Sequence, residues 1–508
     1  MPGEHLDVLI VGAGLSGICA AHHLRTACPG RTFALLERRE RIGGTWDLFR
    51  YPGIRSDSDM YTLGYSFRPW REPRAIADGP SILRYVEDTA REDDTLRHIR
   101  FGLHVRRASW SSAQGRWTVE AEEEASGRPI RLSCGFLFMC SGYYDYDSGY
   151  VPDFAGRESF RGRIVHPQQW TKDVTYAGRR VVVIGSGATA VTLVPELARE
   201  AAHVVMLQRS PTYIVSAPAA DRVANALRRW LPEKMAYGMS RWQRILFGAL
   251  MFRLARRDPA RAKARLIDLT RTELGPEIDV EKHFTPSYNP WEQRLCLAPD
   301  GDFFAAIRTG RASVVTDQIE CFTEKGIRLA SGEELEADLI VTATGLRMKA
   351  LGGLALVVDG QPVQVADTLT YKGVMFSGVP NLALAMGYTN ASWTLKCDLT
   401  AAWVCRLLNH MTKRGLDQCR PTPSTPVTEL EPFFDFSSGY IRRGIGLFPK
   451  QGPRAPWRTF QNYLRDVWTV AWSPVADTEL AFSTSAAEPQ PIDGAAGPRS
   501  GASSDAVI

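Results

Sequence analysis

Apolar positions in this chain fall into two alternating regimes. Short β-rich runs are followed by segments whose apolar residues recur at helical spacing. Leu6 to Val11 is such a run. A glycine-rich loop comes at once after it, and Ile18 to Leu24 then reads as a helix with Ala20, Ala21 and Leu24 on its inner face. Thr32 to Leu36 gives the next strand. The whole order repeats later, with Arg180 to Ile184 as strand, Ala190 to Ala198 as helix and His203 to Leu207 as the following strand. Two further strands, Phe136 to Met139 and Leu339 to Thr342, end in Cys140-Ser141-Gly142 and Ala343-Thr344-Gly345. Glycine at a strand end removes the side chain that would block a close backbone crossing, so both ends suit a bound planar group or a passage between domains. Strands alternating with helices predict an α/β fold with two Rossmann-like dinucleotide-binding domains and a helical insertion.

The two loops are Gly12-Ala13-Gly14-Leu15-Ser16-Gly17 and Gly185-Ser186-Gly187-Ala188-Thr189-Ala190. Strand, loop and helix stand in the order that places a pyrophosphate on a helix N-terminus. The two units differ at the end of their second strand. Glu37 closes that strand in the first, 25 positions beyond Gly12, and a carboxylate there accepts from a free ribose 2′-hydroxyl but repels a 2′-phosphate. Arg209, with Ser210 after it, stands 24 positions beyond Gly185, where a guanidinium fork pairs with that phosphate. The first site is therefore expected to take FAD and the second NADPH.

Because the second unit lies between the two glycine-closed strand ends, the first domain is expected to be discontinuous. The predicted parts are 1–150 and 338–476 for FAD, 151–210 and 285–337 for NADPH, a helical insertion over 211–284, and a disordered tail over 477–508. The tail rests on a turn to Ala, Ser, Gly and Pro that cannot offset the entropy of ordering. Within the insertion, Ile245 to Phe252 is apolar and flanked by arginines. It is shorter than the roughly 20 residues of a spanning helix, which leaves a lid over the substrate pocket or a basic amphipathic helix lying on a membrane.

Composition changes this picture little. The 508 residues are 44% hydrophobic, enough for a large core, and 61 basic against 56 acidic residues are interleaved, so no nucleic-acid footprint stands out. Nine cysteines without a CxxC pair fit neither a disulfide framework nor a zinc site. A reducing cytoplasm is the simplest home, the N-terminus reads as a first strand rather than a secretory signal, and no metal is expected.

Two further patterns carry a resemblance. Phe160-Arg161-Gly162-Arg163-Ile164-Val165-His166-Pro167-Gln168-Gln169-Trp170 matches FxGxxxHxxxW just before the second glycine loop, and Gly43-Gly44-Thr45-Trp46, Tyr51-Pro52-Gly53 and Asp57 fit [A/G]GxWxxxx[F/Y]P[G/M]xxxD. With these the chain resembles the Baeyer-Villiger class of flavoprotein monooxygenases, from the N-terminus to about Trp472. Thr171 departs from the proline or aspartate of many members. The resemblance implies FAD, NADPH, molecular oxygen, and ketones or sulfur compounds as acceptors, with Gly44, Thr45, Trp46, Asp57 and Tyr61 among the cofactor-binding residues. It assigns Phe160, Gly162, His166 and Trp170 to a connector between domains, with His166 in a hinge or positioning role rather than as acid or base.

The resemblance further implies that Arg294, in Asn289-Pro290-Trp291-Glu292-Gln293-Arg294-Leu295, stabilises a flavin peroxide and the oxyanion of its carbonyl adduct, with Asp57 as its charge partner. Gln293 stands where members carry lysine, which leaves NADPH selectivity to Arg209. The alternatives are an N- or S-oxygenating flavin monooxygenase and a reductase-like electron-transfer flavoprotein, the latter disfavoured by the missing CxxC.

Overall fold

The computed structural model describes residues 4–293 and 295–485. Its first sheet is built around the strand His5–Val11, which lies parallel to Phe33–Leu36 on one side and to Pro129–Met139 on the other. Ile99–Arg100 extends it at the Phe33–Leu36 edge. Beyond Pro129–Met139 the pairing turns antiparallel through Arg116–Glu123 and Leu103–Ser111, and Leu382–Leu384 returns late in the chain to pair with Pro129–Met139. Val8 and Ile10 face the helix Leu15–Ala27, which packs in turn on the long helix Trp393–Arg414 through Ala20, Ala21, Leu24, Val404 and Leu408. Each such enclosed aliphatic chain is worth about 1.5–3 kcal/mol, so this layer holds the first unit together.

The second sheet is entirely parallel, in the order Ala312–Thr316, His203–Gln208, Arg180–Ile184, Leu339–Thr342, Arg163–Val165. Its strands are near-continuous apolar runs, as both faces are covered. The strand Leu339–Thr342 sits between Arg180–Ile184 and Arg163–Val165, so the expected boundary at 338 is corrected: the second unit runs past Thr342. Its closing Ala-Thr-Gly resembles the end of Pro129–Met139 because both strands hold the same place beside a glycine loop.

The insertion contains the helices Arg222–Trp230, Glu233–Arg257, Pro259–Leu274 and Val280–Phe284. It is closed by a two-stranded parallel ribbon, Ile214–Ala217 with Cys296–Pro299, so it leaves and re-enters the second unit at one place. The expected tail also needs correction. Leu480–Ser483 pairs antiparallel with Gln418–Pro421, Leu480 is buried in the first core, and Asp477 accepts from Tyr371 at 2.6 Å. Averaging composition over 477–508 hid this alternating strand; residues 486–508 lie outside the described residues.

Candidate functional site

Gly12 has φ +105° and donates its N–H to the Leu36 carbonyl at 2.8 Å, and a Cβ on it would meet the Cys140 carbonyl oxygen at 2.6 Å. Gly17 lies over it, where a Cβ would come within 1.9 Å of the Gly12 oxygen. These two glycines let the chain turn directly from strand to helix. The helix Leu15–Ala27 begins at Gly14 with no side-chain cap and no acid in its first turn, whereas Asp59, Asp78 and Asp221 cap other helices with their carboxylates. Its first N–H groups and positive end are left for an anion. Glu37, buried at the next strand end, accepts from the Ala13 N–H at 2.8 Å and the Arg39 N–H at 2.9 Å. Burial raises its pKa while those two donors oppose the rise.

A second bare backbone faces this loop. Gly43 donates to the Ala13 carbonyl at 3.1 Å, and Gly44, at φ +55°, lies so close that a Cβ would sit 3.2 Å from Gly14 Cα. The short helix Thr45–Leu48 next in the chain is fixed by buried Asp47, which holds Arg39, Arg41 and Arg50 together.

The other glycine loop repeats the geometry. Gly185 has φ +134°, donates to Leu207 at 2.8 Å, and a Cβ on it would meet the Ala343 oxygen at 2.3 Å. Gly187 starts the helix Ala188–Leu197, again without a side-chain cap or first-turn acid. Ser186 Oγ donates to the Ser210 carbonyl at 3.0 Å, tying the loop to the strand end where Arg209 and Ser210 stand exposed.

One cavity of about 360 Å³ runs between the loops. Gly12, Gly14, Glu37, Gly44, Thr45, Trp46, Asp57, Ala188 and Thr189 all line it, and Ser141 Oγ, also in its wall, is buried without a hydrogen-bond partner among the described residues. A glycine-floored slot, two uncapped helix starts, a buried acid and an orphaned hydroxyl fit a bound dinucleotide. Gly17 and Gly185 shape the loops through their backbone crossings and exposed Gly187 starts the second helix, but none of the three is in the lining, and Arg209 and Ser210 stand apart from the cavity wall. Tyr61 also lies elsewhere: it is buried under the insertion, with the Arg228 guanidinium over its ring and on its hydroxyl. Arg294 lies outside the described residues. Its flank is a turn in which Asn289 donates twice to Glu292, and Leu297 just beyond lines the cavity. No residue of 241–257 lines it, so the expected lid does not cover this opening; Ile245 packs behind Tyr388, which does line it.

The fingerprint before the second loop forms a junction. Phe160 is in the core of the second unit, and a Cβ on Gly162 would meet its ring at 2.4 Å. Trp170 packs edge-on against Tyr176. Buried His166 donates from Nε2 to the Gly345 carbonyl at 3.1 Å and accepts from the Gln168 N–H at Nδ1, 3.2 Å. Its ring lies on Gly149, where a Cβ would be 1.9 Å from Cε1. Gly149 and Gly345 belong to the two chain crossings between the units, and these pair as an antiparallel ribbon, Tyr144–Gly149 with Leu346–Met348. Burial lowers the His166 pKa, so the neutral ring described by these bonds is the favoured form.

Several lining residues carry no cofactor role in the sequence patterns, Tyr51 among them although its motif was legible. Tyr51 reaches Thr189 of the second loop with a phenol that burial pushes up to about 12, and Tyr146 beside Thr45 is likewise raised to about 12. Trp393 donates to Ser16 Oγ at 2.8 Å and packs 5.1 Å from Tyr143. The distance of Trp393 in sequence from either glycine loop concealed its place.

The flavin-binding monooxygenase-like family model matches residues 6–223. The FAD-containing monooxygenase EthA of Mycobacterium tuberculosis is 54% identical over 490 residues, covering 96% of this chain and 99% of that protein. Among solved structures, an oxidized steroid monooxygenase bound to NADP aligns with TM-score 0.76 at 25% identity, over 94% of this chain and all of that one. OTEMO in complex with FAD and NADP aligns with TM-score 0.73 at 22% identity, over 95% of this chain and all of that one.

Proposed function

The chain belongs to the flavin-binding monooxygenase-like family as an FAD- and NADPH-dependent monooxygenase, and from that premise we propose that it performs Baeyer-Villiger oxidation, converting ketones to esters or lactones, and also oxidises thioethers or thioamides. The overall reaction consumes one ketone, one O2, one NADPH and one proton, and yields the ester, NADP+ and water. The observation that supports this reading best is the cavity lined from both glycine loops and by Asp57.

Bound FAD supplies the oxygen-activating centre and NADPH the hydride. The protein's part is positioning and charge. Gly14 and Gly44 let the pyrophosphate approach bare backbone, Glu37 holds the ribose, and Arg209 takes the 2′-phosphate of the second nucleotide. Tyr51 and Trp393 line the cavity, where their rings would keep water from the bound groups. Arg294, assigned on its sequence context, stabilises negative charge developing on the acceptor's carbonyl oxygen, and Asp57 balances that guanidinium. The fingerprint and the Gly43 to Asp57 pattern favour ketones over amines as acceptors.

The test measures NADPH consumption and products with a ketone, a thioether and an amine, for the holoenzyme and for Arg294→Ala. Ester from the ketone is expected of the parent. The variant should keep its flavin and its NADPH-driven flavin reduction but lose ester formation by a hundredfold or more, roughly the cost of one transition-state charge donor. Normal ester output from Arg294→Ala overturns its role, and N-oxide with no ester from the parent overturns the reaction class.

A further inference from the structure

The helix Glu233–Arg257 has two opposite faces. Ala236, Tyr237, Ser240, Arg241 and Ile245 are buried against the first unit, and Arg241 fastens that side by donating to the carbonyls of Tyr61 at 2.9 Å and Gly64 at 2.7 Å, with Asp398 as its ion partner at 3.3 Å. The other face carries Met235, Met239, Trp242, Leu246, Phe247 and Leu250, about half exposed each. Their spacing of three and four residues makes one continuous stripe. A soluble surface scatters such residues singly; a contiguous stripe marks a contact surface.

Charge on this helix narrows the partner. From Lys234 to Arg257 it contains no acidic residue, while Arg253, Arg256 and Arg257 are exposed at its end and Arg253 and Arg257 continue the apolar stripe. Glu233, at its start, is occupied by Arg71 at 2.7 Å. Exposed tryptophans stand on the adjoining segments: Trp230 is 86% exposed just before the helix, and Trp468 is 67% exposed on the segment after Tyr463, whose ring contacts Trp242. Apolar chains with tryptophans and arginines around them match the acyl boundary and anionic headgroups of a bilayer. No helix among the described residues is long and apolar enough to cross a membrane, so the contact is with its surface.

We propose that this face docks the enzyme on anionic phospholipid, the stripe entering the headgroup boundary and Arg253, Arg256 and Arg257 pairing with phosphates. The inference is independent of which acceptor is oxidised.

Flotation of the flavin-loaded full chain with phosphatidylcholine vesicles, with and without about one-third phosphatidylglycerol, tests it. The protein should float with the anionic vesicles and several-fold less with the neutral ones. Leu246→Glu, Phe247→Glu and Leu250→Glu together should lower flotation more than tenfold, as should Arg253→Gln, Arg256→Gln and Arg257→Gln together, since each surface arginine contributes roughly fivefold. Both variants should keep flavin content and NADPH oxidation, and Leu430→Glu, at an exposed apolar site outside the helix, should float as the parent does. Failure of the parent to float overturns the proposal, as does unchanged flotation of the glutamate variant. Concentration-dependent self-association that the glutamate variant abolishes, without flotation, assigns the face to a second copy instead.

Discussion

Gly12 and Gly185 meet the same steric demand in the two glycine loops. Each has a positive φ, and each would drive a Cβ into the carbonyl closing a neighbouring strand, Cys140 in one unit and Ala343 in the other. A single side chain separates the sites. Glu37 is fixed by two backbone donors and cannot swing away from the cavity, whereas Arg209 stands exposed at the end of its strand, open to a ligand phosphate. Losing a charge-assisted contact of about 1.5–3 kcal/mol, Arg209→Ala should raise the NADPH concentration needed for half-maximal rate about ten- to hundredfold, with kcat and the response to NADH little changed. Steady-state rates with both nucleotides check this, and an unchanged preference for NADPH removes Arg209 from the site.

At the scale of elements, the informative part is the paired crossing, Tyr144–Gly149 with Leu346–Met348, on which His166 rests. The strand ends were legible as glycine-closed, but their partner was not, because the residues that meet are about 200 apart in the chain. The ring accepts the Gln168 N–H only when neutral. Since burial holds the folded pKa below the ordinary value of 6.5, the unfolded chain takes up the proton first as pH falls. The ring's contribution to stability is therefore full above that value and lost below it. Thermal melts at about pH 7.5 and pH 5.5 should show a smaller drop in Tm for His166→Gln than for the parent protein. An equal drop in both excludes His166 from the acid sensitivity of the junction.

At the scale of the molecule, the two units meet where Tyr51-Pro52-Gly53 turns against the helix Ala188–Leu197. Gly53 has φ +72°, and a Cβ there would sit 2.9 Å from Glu196 Cβ. Arg55 adds an ion pair to Asp302 of the second unit. A branched residue at 53 should separate the units without touching the glycine loop that holds the flavin nucleotide. Gly53→Val should thus retain bound flavin while slowing its reduction by NADPH by tenfold or more, because transfer between two bound groups depends steeply on their alignment. Stopped-flow reduction measures it, and a parental rate shows that the contact does not set the alignment.

Local sequence carried the two dinucleotide units, their different terminal side chains and the fingerprint, since each depends on residues within one strand, loop and helix, where steric and charge requirements are visible in order. Long-range packing carried the rest. It placed Leu339–Thr342 in the second sheet, recruited Leu480–Ser483 as an edge strand, brought Tyr388 and Trp393 to the cavity and removed Tyr61 from it, and turned the apolar stripe of Glu233–Arg257 outward. Pairing and burial join residues hundreds of positions apart, and no spacing rule along the chain encodes which partner an apolar face will find.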